Sequence, residues 1–184
     1  MNRHALFARA TAVLATTAAL WWPAQASTVE PTAADALRGK QTVGSSLFRY
    51  WGFEVYQATL QAPAGFDAAR FEQQRFALEL QYRRAFKGRD IAQRSIDEMQ
   101  AIAPLNAQQT ADWSAAMQRA FPDIQSGDRL LGVHVPGVGA RFYFNGQLRT
   151  AVDDPVFAAR FFGIWLSPRT SAPQLRAALI GAAR

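Results

Sequence analysis

The 184-residue chain has no cysteine, which excludes disulfides, thiol chemistry, cysteine-ligated metals and a lipid-modified cysteine. Histidine is almost as scarce: His4 sits near the start, and His134 stands alone on a strand-like run with no second ligand at metal spacing. Lysine occurs only at Lys40 and Lys87, so the net charge of +6 rests on arginine. Those arginines are scattered and form no dense run or aromatic-basic platform, which argues against a nucleic-acid partner. Ser45-Ser46 has no nearby general base to activate a nucleophile. Adjacent acids are explained without catalysis, Asp97-Glu98 as a solvated helix face and Asp153-Asp154 as a helix cap. No cofactor and no metal are expected.

One long apolar stretch is present, and it lies at the beginning. Arg3 and Arg9 precede Ala10 to Trp22, and Ala24-Gln25-Ala26 follows as a small-x-small cleavage pattern. Residues 1–26 are expected to be a cleavable signal peptide, since the stretch is shorter than the roughly 20 residues of a spanning helix. That predicts export to the periplasm and a mature chain of about 158 residues, charge about +4, with no membrane span. Residues 27–36 read as a flexible leader and 37–184 as one domain.

Within that domain Leu47 to Trp51 and Phe53 to Leu60 read as strands hinged at Gly52, and Phe76 to Tyr82 alternates with period two. Helical spacing follows from Ile91 to Ile102, closed by Pro104, and again from Asn106, a capping residue with Gln109 three positions on. Leu130 to Val135, Ala140 to Phe144 and Gln147 to Val152 form a meander around the turn pair Asn145-Gly146. Asp153-Asp154-Pro155 opens a helix whose Phe157, Phe161, Ile164 and Trp165 belong to the core. Ser171 and Pro173 open the last helix. Strands, helix pair, strands, helix pair give an α+β class, with a largely antiparallel sheet covered on one face.

The segment Ser45 to Leu60 plants Arg49 among large apolar side chains. A guanidinium there must reach water or meet an anion, because burying it unpaired costs several kcal/mol. Arg49 is therefore a candidate to fork onto a ligand carboxylate, with Tyr56 and Tyr82 adding hydroxyls and Trp51 an apolar wall. The alternative is that Arg49 lies on the open face across Trp51, and that both tyrosines are structural.

Arg49 to Leu60, the strand Phe76 to Tyr82 running into Phe86-Lys-Gly-Arg-Asp90, Gly127-Asp-Arg-Leu130 and Phe161 to Thr170 together resemble the chalcone isomerase-like proteins of bacteria. The resemblance covers roughly Leu37 to Gly181 and implies an open-faced β-sandwich, a large antiparallel sheet packed against helices with a cleft between. Plant chalcone isomerases use an arginine, a strand threonine and a tyrosine-asparagine pair on the following helix, and related plant proteins bind fatty acids in the same cleft. Ungapped counting from Val55-Tyr56 puts Trp51 at the threonine, Ile91 at the tyrosine and Glu98 at the asparagine. Neither Trp51 nor Ile91 carries a hydroxyl to aim at a developing enolate. The resemblance thus implies a non-catalytic protein binding a fatty-acid-like apolar anion. An isomerase or lyase, and an envelope interaction protein using Trp113 or an arginine surface, are the alternatives.

Overall fold

The computed structural model describes residues 32–182. The expected signal peptide and residues 27–31 of the expected leader lie outside the described residues.

Helix α1 (Ala33–Leu37) occupies the end of the segment expected to be flexible. Thr32 caps it reciprocally: its side chain accepts from the Asp35 amide, and the Asp35 carboxylate accepts from the Thr32 amide. The helix buries Ala36 against Ala77, Leu131, Val133 and Tyr143. The helix lies at the end of the expected leader, on the face of the otherwise open sheet that the larger helices leave uncovered. Small alanines under a good cap were enough to order the segment and partly cover the second face.

Among the described residues six strands form one antiparallel sheet in sequence order: β1 (Gln41–Tyr50), β2 (Phe53–Ala62), β3 (Phe76–Tyr82), β4 (Arg129–Val135), β5 (Gly139–Phe144) and β6 (Gln147–Val152). The period-two pattern of β3 sends Phe76, Leu78, Leu80 and Tyr82 to the face that the helices cover. Ala77 points to the α1 side. Strand β1 begins six residues earlier than the aromatic run suggests, because Gln41 to Ser46 is too polar to read as a strand yet pairs with β2 on both sides of a bulge at Val43. Trp51 leaves the strand for the turn.

Helices α2 (Gly88–Ile102) and α3 (Ala107–Ala120) pair with each other, and α4 (Pro155–Leu166) and α5 (Pro173–Leu179) lie on the sheet. The Asn106–Gln109 capping box and the Asp154 cap form as their residue types dictate. Asp154 Oδ1 accepts from the Val156 and Phe157 amides at 2.8 and 2.9 Å, and its other oxygen takes the Trp113 indole N–H at 2.9 Å. Trp113 is buried by this bond, so it is not the interaction surface that the sequence allowed it to be. Fully buried Phe76, Phe142, Phe157 and Phe162 anchor the core, each contributing about 1.5–3 kcal/mol of burial. Phe142 meets Phe161, and Phe76 meets Phe162, edge to face at 5.1 and 5.0 Å. Among the described residues no helix is long and apolar enough to cross a membrane.

Candidate functional site

Between the sheet and helices α2, α4 and α5 lies a cavity of about 310 Å³. That is at the small end of ligand pockets, room for roughly ten groups at about 30 Å³ each. Its polarity is graded along the sheet. Leu78, Leu80 and Tyr82 line it in succession on one face of β3, a span of about 13 Å at strand rise. At the Leu78 end the neighbours across the sheet are Gly132 and then Phe142, both at the cavity wall. A side chain at 132 would place its Cβ 3.0 Å from the Phe162 ring, so the glycine lets that ring pack against the sheet.

The Tyr82 end carries the polar groups. Tyr82 is paired across the sheet with Tyr56, their rings edge to face at 5.7 Å. Trp165 Nε1 donates to the Tyr56 hydroxyl at 3.1 Å. Glu98 of α2 accepts from Arg94 at 2.5 Å and from the Ser171 hydroxyl at 2.6 Å, and Arg94 stacks over the Tyr50 ring at 5.6 Å. Glu98 is only 12% exposed. Arg94 and Glu98 both act electrostatically on the Tyr56 hydroxyl, so these groups are close neighbours.

Burial is the main cause that raises the pKa of Tyr56 and of Tyr82 above the ordinary phenol value. Both are therefore neutral hydroxyls near pH 7, donors rather than bases. Tyr82 is only 3% exposed, and among the described residues its hydroxyl has no hydrogen-bond partner, although it lines the cavity. Among the described residues no buried side-chain polar atom lacks a partner, so this hydroxyl is open to the cavity, where it can meet water or a ligand atom.

Of the four residues singled out by sequence, the structure brings Tyr56 and Tyr82 together in the cavity and leaves Arg49 and Trp51 outside it. Arg49 bonds Glu54 at 2.8 Å on the exposed hairpin. The reason is strand parity: its neighbours Phe48 and Tyr50 both face the cavity, so Arg49 faces the other way. Trp51 occupies the turn, 83% exposed, where no wall exists. Ile91 and Glu98 do line the cavity, and Trp51, counted to the threonine position, does not. The cationic cavity residue that sequence reading missed is Arg94. Its available signal was the stripe Ile91, Arg94, Ser95, Glu98 at three- and four-residue spacing on one helix face. Among the described residues no group of three or more histidine or acidic side chains gathers to hold a metal ion.

A protein of Haemophilus influenzae, described only as uncharacterised, is 28% identical over 141 residues, covering 77% of this chain and 68% of its own length. Among solved structures, the fatty-acid binding protein AtFAP1 of Arabidopsis thaliana superposes with a TM-score of 0.58 at 12% identity, covering 79% of this chain and 89% of that one. At that identity the likeness is one of fold. The family model described as chalcone isomerase-like matches residues 43–181, most of the sheet and every helix after α1, and the chain belongs to that family.

Proposed function

We propose that this protein binds, without transforming, a small molecule with one polar head and one apolar body, of fatty-acid type, and does so in the periplasm after export. The observation that carries the reading is the unpartnered Tyr82 hydroxyl at the polar end of a cavity whose far wall is apolar. A head-group oxygen placed there would accept from Tyr82 and lie beside Arg94. The guanidinium has five N–H donors, and the Glu98 bond occupies one edge of it. A carboxylate can take the remaining donors in a charge-assisted contact. The fatty-acid binding protein of like fold supports the choice of ligand class. Location rests on the Ala24-Gln25-Ala26 pattern.

The test is native mass spectrometry of the protein purified from its own cells, with extraction of whatever co-purifies. An acyl-chain acid at one per chain, and an N-terminus at Ser27, are expected. An empty protein that also fails to bind a fluorescent fatty acid would sink the ligand reading. Turnover of a chalcone by the same preparation would replace binding with isomerisation.

A further inference from the structure

The protein contains two two-residue hairpin turns of the same backbone type. Phe144 and Gln147 flank Asn145-Gly146, with φ of 47° and 90°. Tyr50 and Phe53 flank Trp51-Gly52, with φ of 50° and 81°. Two positive φ values in succession favour Asn-Gly, and a bulky side chain in the left-handed region is strained. One turn follows that rule and the other breaks it with tryptophan. Among the described residues its one ring contact is a stack on the exposed hairpin residue Tyr50 at 6.0 Å, and the side chain stays 83% exposed.

Its surroundings share the oddity. Of five exposed large hydrophobic residues among the described ones, three are Tyr50, Trp51 and Phe53. The hairpin also overhangs the sheet: the last bond from the β3 side to β2 is the Arg83 amide to the Val55 carbonyl at 2.9 Å, so Arg49 to Glu54 project by about 10 Å at strand rise. Arg84 stacks on Phe53 at 4.7 Å, and neither it nor the exposed Arg83 has an acidic partner among the described residues. The other cations nearby, Arg49, Lys87, Arg89 and Arg94, each have one. A projecting aromatic tip with two uncompensated arginines behind it has the composition of a membrane-interface anchor, where aromatic rings sit at headgroup level and arginines meet anionic lipid.

We infer that the β1–β2 hairpin docks the protein on the surface of an anionic bilayer, Trp51 leading. Tyr50 belongs both to this tip and to the cavity lining. Docking would therefore set the polar end of the cavity against the lipid, a route for an acyl chain to pass between membrane and protein. That last step rests on the ligand reading above; docking itself does not.

The experiment is co-sedimentation of the protein, as purified from its own cells, with vesicles of phosphatidylglycerol and phosphatidylcholine, beside Trp51→Asn and Arg84→Gln. Wild type should partition onto the vesicles and release as salt rises. Trp51→Asn restores the residue the turn prefers, so it should melt no lower than wild type yet bind at least tenfold more weakly, given the area of a tryptophan ring. Arg84→Gln should weaken binding roughly fivefold. Wild type that ignores the vesicles, or Trp51→Asn that binds them as wild type does, overturns the inference. So does sedimentation equilibrium showing a dimer that Trp51→Asn dissolves, which would assign the tip to a second copy. Fluorescent fatty-acid binding in vesicle-free buffer is measured on all three proteins. If it persists while docking fails, only the docking inference falls; if docking holds and the acid does not bind, only the ligand reading falls.

Discussion

Replacing Tyr82 with phenylalanine should move stability and ligand affinity in opposite directions. In the free protein the hydroxyl opens onto the cavity with no hydrogen-bond partner among the described residues, so its removal breaks no bond within the protein. The folded state should be unchanged or gain up to about 1 kcal/mol. In the complex the same hydroxyl donates to the ligand head. A hydrogen bond to a charged acceptor is worth about 1.5–3 kcal/mol, so affinity for a fatty acid should fall roughly 10- to 100-fold. Tyr56→Phe is the contrasting variant: it strips the acceptor from the buried Trp165 indole N–H and should cost about 1–3 kcal/mol of stability. Urea unfolding gives the first quantity, and displacement of a fluorescent fatty acid the second. If Tyr82→Phe loses more than about 1 kcal/mol of stability, the hydroxyl has a structural partner and the site argument is wrong; unchanged affinity would refute it equally.

Asp154→Ala should cost about 2–4 kcal/mol in urea unfolding, because one carboxylate caps α4 through two amides and also satisfies the buried Trp113 N–H. His134 Nδ1 must carry the proton it gives to the Gln74 carbonyl at 2.7 Å, and the ring stacks on Phe76. Desolvation holds its pKa below the ordinary 6.5 despite that carbonyl, so on acidification the unfolded chain takes up a proton before the folded one does. Its contribution to stability should be full above about pH 6.5 and decline as pH falls through the lower folded value, a loss that is absent in His134→Phe melts. Gly44→Ala should expel α5 from β1, since the new Cβ would stand 2.1 Å from the Ala178 carbonyl oxygen; hydrogen exchange should show lost protection in both elements.

What the sequence made legible was local. Asn145-Gly146, the Asn106 box and the Asp154 cap each act within three residues of themselves, and each element formed where its signal stood. The alternation of β3 was readable because one face is wholly buried. The first half of β1 escaped notice because its pairing is secured by backbone and by polar contacts such as Ser45 with Thr59, not by apolar alternation. The site was half legible. Tyr56 and Tyr82 share the cavity face by parity, and the same parity, applied to Phe48, Arg49 and Tyr50, turns Arg49 away. Arg94 could not be told from a solvated helix charge until α2 was placed over the strand ends.

The sheet's strands pair strictly in the order they are made, so each can dock as it emerges. The first strand is the exception in one respect: its outer edge half, around Gly44, is held by the backbone of α5, the last helix. Leu175 on that helix, and Ser171 and Ala172 just before it, also close the cavity. Strand β1 and helix α5 thus hold each other in place. A chain without Pro173–Leu179 would carry every described strand of the sheet and still hold an open, unsupported trough, so the cavity closes only once α5 has docked.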